Sequence, residues 1–316
     1  MRYRRLGGAG IKVSEVALGS WLTYGDAVSE RTARKCVQRA WDLGINFFDT
    51  ADAYAAGKAE EALGRCLSDL PRHDLVVASK CYFPMSEGPN DRGLSRKHII
   101  EACEASLTRL RLDHLDLYQA HRYDDEVDLE EVVLAMDHLV RQGKILYWGT
   151  SNWSALQLNE SVELARTRGA YSQISDQPRY NLLDRSLELD KLEVARRQRL
   201  GFVVYSPLAQ GVLTGKYSGG GAPAGTRAAD SRANRWMGDW LRDECTERAE
   251  KVAGLARELG RTPAQLALAW CLRWPEVSSV IIGASRPEQI DENAAASGFD
   301  LDEATIARLE EICPMG

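Results

Sequence analysis

Four side chains that can hold or move a proton stand at or just beyond the ends of three successive short apolar runs: Asp49, Tyr54, Lys80 and His121. Tyr54 is the natural acid of this set, and Lys80, anchored by Asp49, would lower the pKa of the phenol. His121 can hydrogen-bond a substrate oxygen and orient it. Hydride reduction of a carbonyl needs a proton donor and a polarising hydrogen bond, because negative charge develops on the oxygen. The set therefore predicts carbonyl reduction.

Each of these residues has an ordinary structural explanation when it is taken alone. A buried Asp–Lys pair is usually a structural ion pair, and Tyr54 can simply pack within the loop 53–57. A single histidine such as His121 is more often a hydrogen-bonded surface residue. Their arrival at the ends of neighbouring strands is what favours a catalytic role, so the prediction depends on the fold.

Short β-branched or apolar runs alternate with longer helical patterns along the whole chain. Such β–α repeats predict an α/β fold, a closed parallel (β/α)8 TIM barrel, and the unchanging composition predicts one domain over residues 1–316. The active site of such a barrel lies at the carboxyl ends of its strands, where the four residues above converge. The strand candidates are residues 16–18, 46–49, 75–80, 115–119, 145–150, 173–176, 202–205 and 277–282.

Two segments fall outside the repeat. Residues 2–13 are predicted to form a β-hairpin that plugs the bottom of the barrel. Residues 215–243, rich in Gly, Pro and Ala, form a long insertion after strand seven, and an extra helix is expected near 245–259. Glycines within 219–225 suit a hinge, so a lid over bound cofactor is predicted. Capping boxes are predicted for three helices, at Ser154 with Gln157, Thr262 with Gln265, and Ser285 with Glu288.

The composition limits the partners of this chain. Its 316 residues are 44% hydrophobic and carry a formal net charge of −6. Such a chain lacks the basic face that nucleic acid or an anionic membrane requires, so neither is an expected partner. No signal peptide follows the first arginines, and no apolar run is long enough to cross a bilayer. The seven cysteines lack C-x-x-C spacing and are expected to be reduced thiols of a cytoplasmic protein.

Residues 44–54, Gly-Ile-Asn-Phe-Phe-Asp-Thr-Ala-Asp-Ala-Tyr, resemble the aldo-keto reductase signature that carries the catalytic Asp and Tyr. The likeness covers essentially the whole chain. Through residues 55–60 and 92–98 it is strongest to the branch of potassium-channel β subunits and bacterial glyceraldehyde-3-phosphate-type reductases. The resemblance implies the family's catalytic roles for Asp49, Tyr54, Lys80 and His121. It also implies Asn at the position of His121 in channel β subunits, so the histidine favours a working enzyme.

The phosphate-binding glycines of a Rossmann site are missing. No G-x-G-x-x-G follows a predicted strand, and the glycine-rich residues 7–10 precede the first one. A barrel can instead bind phosphate after strands seven and eight. Strand eight leads into Ser285 and Arg286 at a helix start, which suits a phosphate monoester, although a simple capped helix is the alternative. No acid is placed to take a ribose diol, so NADPH is favoured over NADH.

The resemblance extends this cofactor site to other loops at the mouth of the barrel. It implies that Tyr205 stacks on the nicotinamide, that Ser151, Asn152 and Gln177 hold the carboxamide, and that Lys216 lies near the phosphates. Together with the residues of the last helix, the residues implied to bind NADP(H) are Ser20, Trp21, Asp49, Ser151, Asn152, Gln177, Tyr205, Ser206, Pro207, Leu208, Ala209, Gly211, Lys216, Arg227, Gly283, Ser285, Arg286, Gln289, Glu292 and Asn293.

Trp21, Tyr82 and Arg122 are the candidate contacts with substrate. Arg122 follows His121, so its guanidinium can clamp a phosphate or carboxylate, and the glyceraldehyde-phosphate reductases that this chain resembles share the pair. The alternative is a surface ion pair of Arg122 with Asp124, Asp125 or Glu126. Trp21 and Tyr82 fit a neutral or aromatic aldehyde equally well. The expected partner is thus a small carbonyl compound, and an oligomer is compatible with the sequence.

Two other functions are weighed against a reductase. A regulatory sensor of cofactor redox state, as channel β subunits are, is disfavoured by His121 and by the short stretch before the barrel. The resemblance adds Asn152, where channel β subunits carry Arg. A metal-dependent hydrolase needs clustered His and carboxylate ligands. The five histidines, at 73, 98, 114, 121 and 138, show no ligand-like spacing, so no metal is expected.

Overall fold

The computed structural model describes residues 1–25, 28–217, 226, 228, 229, 234 and 237–315. A two-stranded hairpin precedes eight parallel strands that close into a barrel, in which the last strand pairs with the first. The predicted TIM barrel is therefore confirmed. The strands are β1 (Tyr3–Arg5) and β2 (Lys12–Ser14) of the hairpin, then β3 (Val16–Gly19), β4 (Phe47–Asp49), β5 (Val76–Cys81), β6 (Leu115–Ala120), β7 (Ile145–Thr150), β8 (Ser175–Asp176), β9 (Gly201–Val204) and β10 (Val277–Ile282) of the barrel.

Helices surround the barrel. In chain order the described helices are α1 (Glu30–Asp42), α2 (Lys58–Leu67), α3 (Arg96–Leu110), α4 (Leu129–Arg141), α5 (Ala155–Arg168), α6 (Lys191–Gln198), α7 (Asp243–Glu258), α8 (Pro263–Cys271), α9 (Pro287–Ala294) and α10 (Glu303–Ile312). They pack against their neighbours, α1 against α2 and α9, and α3 against α2 and α4. Helix α7 is the extra helix predicted near 245–259.

The barrel strands bury both of their faces, in two separate apolar clusters. Val16, Phe48 and Val77 belong to a large cluster with the helices, whereas their neighbours Ala17 and Phe47 belong to a smaller one. This alternation follows from the opposite directions of successive side chains in a strand. The smaller cluster fills the barrel with Ala17, Phe47, Val76, Ala78, Leu117 and Val203, and with Leu6 and Val13 from the hairpin.

The hairpin closes the end of the barrel where the strands begin. The Arg4 guanidinium donates to the carbonyls of Trp274 (3.1 Å) and Val277 (2.9 Å) at the start of β10. Gly7 lies against the start of β9 at a φ of +57°, and a Cβ there would be 2.5 Å from the Arg199 carbonyl oxygen. Only glycine fits this close approach. The predicted plug at the bottom of the barrel is confirmed, which leaves the opposite mouth for a site.

Two of the three predicted capping boxes form. Ser154 and Thr262 each accept from the backbone N–H three residues on, and the glutamine there bonds back. The third prediction is wrong: Arg286 is the N-cap of α9, and Ser285 bonds the side chain of Gln289 instead of capping. The reason is that Pro287, which fits the first helical turn, starts the helix one residue later than a Ser285 cap requires.

The insertion after β9 begins with a short helical turn, Ala209–Thr214, and ends with another, Gly238–Leu241, ahead of α7. The predicted lid and its hinge at 219–225 lie outside the described residues. None of the described helices is both long enough and apolar enough to span a bilayer.

Candidate active site

Lys80 occupies the centre of the mouth and is fully buried. Its ammonium donates to Asp49 Oδ1 (2.6 Å), to the Thr50 carbonyl (2.6 Å) and to the Tyr54 hydroxyl (3.3 Å). Burial lowers the pKa of Lys80, but Asp49 and Tyr54 raise it by more, so the net shift is upward and the amine stays charged. The predicted association of Asp49, Tyr54 and Lys80 is present because β4 and β5 pair side by side.

The second carboxylate oxygen of Asp49 faces two amides. Gln177 donates to Oδ2 at 2.8 Å, and Gln119 lies at 3.4 Å from the same atom. Asp49 therefore accepts from residues of three other barrel strands or their ends, which fixes the position of the ammonium that it binds. Gln119 was predicted only as a strand residue. Its place at the carboxyl end of the strand before His121 is the signal that would have identified it.

Tyr54 is presented by a left-handed turn. The three residues after it, Ala55, Ala56 and Gly57, have φ values of +50°, +52° and +88°. Left-handed backbone costs roughly 1–2 kcal/mol for each residue with a side chain. Such strain at a candidate site persists only where the surroundings hold it. Here a Cβ on Gly57 would lie 2.8 Å from the Cδ of Arg109, so the turn is packed against that side chain.

Buried carboxyl groups lie behind the turn. Glu60 has no exposed surface, accepts from the Ser79 hydroxyl and pairs with Arg109 at 2.6 Å. Asp52 also has no exposed surface, and only one of its oxygens has a partner, the Ala53 N–H at 2.6 Å. Burial, together with the charge of Glu60, raises the pKa of Asp52 to about 8. The Asp52 carboxyl is therefore largely protonated at neutral pH.

The pKa of Tyr54 moves in the direction opposite to the prediction. Burial raises the pKa of the phenol, and the lowering by Lys80 does not offset it, so the net shift is upward. Lys80 does lower the pKa of Tyr54, as predicted. The sequence pattern could not show that desolvation would raise this pKa by more. In this state the hydroxyl keeps its proton at neutral pH, as a proton donor must.

His121 lies beside Tyr54, with 5.7 Å between the ring centroids in an edge-to-face arrangement. Burial, and then the charges of Lys80 and Arg122, bring the pKa of His121 well below its ordinary value, so the imidazole is neutral. Its Nδ1 is buried and has no partner among the described residues. A neutral imidazole can still donate one hydrogen bond, which is what orienting a carbonyl oxygen requires.

Aromatic side chains border this group. Trp21 lies 6.5 Å from Tyr54 between ring centroids, and Phe83 lies 4.9 Å from His121. Tyr82 stands edge-on to Phe83 at 5.3 Å, so both aromatic residues predicted to contact substrate are near the mouth. Phe83 was missed by the sequence analysis. It follows β5 by two residues, so the same search of strand ends that identified Tyr82 would have found it.

The predicted nicotinamide contacts form one hydrogen-bonded chain. The Ser151 hydroxyl donates to the Gln177 carbonyl (2.9 Å) and accepts from the Asn152 amide (2.8 Å). The Tyr205 hydroxyl donates to Asn152 Oδ1 at 3.1 Å. Ser20, by contrast, directs its hydroxyl to Thr50 at 2.8 Å. This series of hydrogen bonds runs from Asp49 through Gln177 to Tyr205. It therefore connects the candidate catalytic residues to the candidate cofactor-binding residues.

The loop after β9 has an unusual backbone at the predicted pyrophosphate contacts. Ser206, Ala209 and Gln210 adopt positive φ values of +53°, +46° and +57°. A Cβ on Gly211 would lie 2.6 Å from Lys216 Nζ, so the absence of a side chain lets the ammonium approach this loop. Closely approached backbone and a lysine suit a phosphate chain. Pro207 and Leu208 lie within the same turn, whereas Arg227 lies outside the described residues.

The predicted adenosine-phosphate contacts stand apart from this buried group. Gly283, Ser285, Arg286 and Glu292 are exposed, and Asn293 is buried on α9. Gln289 Oε1 accepts from both the N–H (2.8 Å) and the hydroxyl of Ser285. Arg286 forms no ion pair within the part of the chain that the structure describes. A free guanidinium and a hydroxyl at a helix start fit a 2′-phosphate, so the residues present suit NADP(H).

Known proteins are similar over nearly the whole chain. The model of the Aldo/keto reductase family matches residues 15–314. The chain belongs to this family. Two curated relatives, from Oryza sativa subsp. japonica and Arabidopsis thaliana, are each named a probable voltage-gated potassium channel subunit beta. Each is 42% identical over 299 residues, which is 94% of this chain and 91% of the relative. A putative subunit of the same name from Schizosaccharomyces pombe is 42% identical over 98% of this chain and 92% of its own length.

Proposed function

We propose that this protein reduces aldehydes or ketones to alcohols with NADPH as the hydride donor. The observation that carries the proposal is the buried contact of the Tyr54 hydroxyl with Lys80 Nζ at 3.3 Å, with Asp49 on the same ammonium at 2.6 Å. A protonated phenol, a fixed cation and the neutral His121 at one mouth supply what a carbonyl oxygen needs as it gains charge. Membership of the family supports the same reaction class.

Each residue has one task in this reaction. NADPH, when bound, supplies the hydride that adds to the carbonyl carbon. His121 donates a hydrogen bond that orients the carbonyl oxygen, and Tyr54 transfers its hydroxyl proton to that oxygen. Lys80 stabilises the phenolate left behind, and a proton from solvent then restores Tyr54. One carbonyl compound, one NADPH and one proton thus give one alcohol and one NADP⁺.

The preference for the phosphorylated cofactor is part of the proposal. Arg286 and Ser285 would bind the 2′-phosphate, because the Arg286 guanidinium, which pairs with no carboxylate of the described residues, can form charge-assisted hydrogen bonds to it. Ser151, Asn152 and Gln177 would hold the carboxamide. Their hydrogen bonds to one another, and that of Gln177 to Asp49, keep these side chains in position.

A second candidate function is a cofactor-binding regulatory subunit with little turnover. The names of the three relatives favour it, since all three are named as potassium channel β subunits. His121 supports the reductase over this candidate, because a regulatory sensor has no need of a hydrogen-bond donor at the reacting oxygen.

Isotope transfer separates the two candidates. The protein is incubated with NADPH that carries deuterium at the transferable C4 position and with a panel of aldehydes and ketones. The reductase predicts deuterium on the carbinol carbon of the product, detected by mass spectrometry, in step with loss of NADPH absorbance. NADPH binding by fluorescence titration, with no labelled alcohol from any member of the panel, would favour the regulatory subunit instead.

A further inference from the structure

A cavity of about 310 Å³ opens at the mouth of the barrel beside the candidate active site. It is bordered by the loops that follow β6, β7, β8 and β9, on the side of the barrel away from Trp21. Its lining includes Arg122, Asn152, Arg179, Asp184, Lys191 and Tyr205.

Positive charge exceeds negative charge in the lining. Arg122, Arg179 and Lys191 face a single carboxylate, that of Asp184, in a chain whose net charge is −6. Arg179 Nε donates to Asp184 at 2.5 Å, and Lys191 lies 3.3 Å from the fully buried Asp176. The terminal nitrogens of Arg179 have no hydrogen-bond partner in the described segments. A guanidinium has five N–H donors, so Arg179 can hold Asp184 and a second anion together.

Arg122 differs from the other two cations, because no carboxylate among the described residues pairs with it. The alternative of a surface ion pair with Asp124, Asp125 or Glu126 is not found in the structure. The oxygens of Asp124 are taken instead by the N–H groups of Leu94 (2.7 Å) and Glu126 (3.1 Å). Arg122 is held by its hydrogen bond to the His121 carbonyl at 2.6 Å and lies 5.4 Å over the Phe83 ring. Its charge is therefore positioned but not neutralised.

The cavity adjoins the reacting groups. Arg122 is tethered to the backbone of His121, and its charge opposes the upward shift that burial imposes on the pKa of Tyr54. Burial likewise raises the pKa of Tyr205, and Arg122 and Arg179 are the largest opposing influences. Both guanidinium groups therefore lie within electrostatic reach of the residues proposed to hold the carbonyl and the nicotinamide.

We propose that this cavity binds the carboxylate or phosphate group of the substrate, so that the preferred substrates are carbonyl compounds with an anionic group. Arg122 and Arg179 bind the anion while the carbonyl end lies at Tyr54 and His121. The inference rests on the proposed reductase function for its chemistry, and it adds the substrate class. Fixing one end of the substrate by paired charged hydrogen bonds aligns the other end for hydride transfer.

Matched aldehydes test the substrate class. Turnover of 4-carboxybenzaldehyde is compared with that of 4-nitrobenzaldehyde, which has nearly the same shape and no net charge. In the Arg122→Gln and Arg179→Gln variants, kcat/KM for the carboxylate should fall by about one to two orders of magnitude, the scale of one charge-assisted contact. The loss for the nitro compound should be much smaller, because it has no anionic group for either guanidinium to bind. Arg31→Gln on α1, an exposed arginine outside the cavity, is the charge-matched control and should affect neither substrate.

A second pair, glycolaldehyde phosphate and glycolaldehyde, distinguishes phosphate from carboxylate as the preferred anion. Equal losses on charged and neutral aldehydes in both variants would overturn the proposal. So would a matching loss of NADPH affinity in fluorescence titration, because the cations would then serve the cofactor.

Anion binding without turnover keeps this inference separate from the reductase proposal. Inorganic phosphate is titrated calorimetrically into the NADPH-saturated protein, whose cofactor phosphate sites are filled. Binding that weakens in both variants and not in Arg31→Gln supports the anion site, even if no carbonyl is reduced. Identical phosphate binding in the wild type and both variants would refute it.

Discussion

The two sides of the barrel mouth are built in opposite ways. On the side of β4, β5 and β6, Lys80 and Asp49 are buried and hydrogen-bonded to each other. On the side of β10, Ser285 and Arg286 are exposed at the start of α9. The first group has its geometry fixed by the folded chain itself. In the second, the Ser285 hydroxyl bonds Gln289, and the Arg286 guanidinium has no ion-pair partner among the described residues.

This difference fits the different tasks proposed for the two sides. Proton transfer and charge stabilisation require fixed distances, which strand ends inside a packed barrel provide. Binding of a phosphate requires donors that can be desolvated by the ligand, and exposed groups at a helix start satisfy that need. Substitutions on the buried side should therefore change catalysis and stability, whereas those on the exposed side should change cofactor affinity alone.

The largest effect is expected on the buried side, for Tyr54→Phe. This variant keeps the ring and removes only the hydroxyl, so turnover should fall by roughly 10²- to 10⁴-fold, the usual contribution of a general acid. NADPH affinity, measured by fluorescence titration, should not change. Tyr147→Phe is the matched control and should keep full activity, because Tyr147 lies toward the start of β7, away from the barrel mouth. Turnover retained by the Tyr54 variant would falsify the assignment.

Lys80→Met tests how strongly the buried side depends on its ion pair. Removal of the ammonium leaves Asp49 buried with only amide donors, which should lower the free energy of unfolding by about 3–5 kcal/mol. Urea denaturation measures the change. The double variant Asp49→Asn, Lys80→Met should recover part of the loss, because no charge then remains unpaired. A double variant as unstable as the single one would show that packing, rather than charge, is responsible.

Asp52 gives the buried side a pH-dependent stability. Its pKa is about 8 in the folded protein against an ordinary value of 3.8, so folding takes up a proton between these values. Stability should then decrease as pH rises from about 4 to 8, by up to about 1.4 kcal/mol per pH unit. Asp52→Asn, which keeps the acceptor for the Ala53 N–H, should reduce this slope in urea denaturation at pH 6, 7 and 8. An unchanged slope would contradict the protonated state.

The exposed side should show the smallest effect. Arg286→Ala should weaken NADPH binding by roughly 1–3 kcal/mol, as expected for one charge-assisted contact, and NADH binding by much less. Fluorescence titration with both cofactors measures the difference, and kcat at saturating NADPH should stay near the wild-type value. An equal loss for both cofactors would place the 2′-phosphate elsewhere, with Arg227 as the next candidate.

The buried side was also the more predictable side. Strand ends such as Asp49 and Lys80 are identifiable because apolar runs bound them and parallel strands bring their carboxyl ends together. The closure of the barrel followed from the same repeat. Two strands are shorter than predicted: residues 46–49 gave Phe47–Asp49, and residues 173–176 gave only Ser175–Asp176.

The sequence did not show which of two competing interactions would be the stronger at Tyr54 and at Arg122. Lys80 and burial act in opposite directions on the pKa of Tyr54, and only the packed structure decides which is larger. Arg122 has acids next to it in sequence, yet the N–H groups of Leu94 and Glu126 bind the oxygens of Asp124. Burial of Tyr54 and the contact of Leu94 with Asp124 both depend on segments distant in sequence, which a local pattern does not reveal.

The hairpin at the base of the barrel has a consequence for synthesis of the chain. Arg2 pairs with Asp300, and Arg4 is held by carbonyls of Trp274 and Val277, so the hairpin that precedes the barrel is bound by residues near and beyond its last strand. Until β10 has left the ribosome, the hairpin lacks part of the surface that it packs against, and one edge of β3 has no partner strand. The early strands remain in that state until then, and unpaired strand edges promote aggregation. The nascent chain should therefore depend on protection by chaperones until its last barrel strand is made.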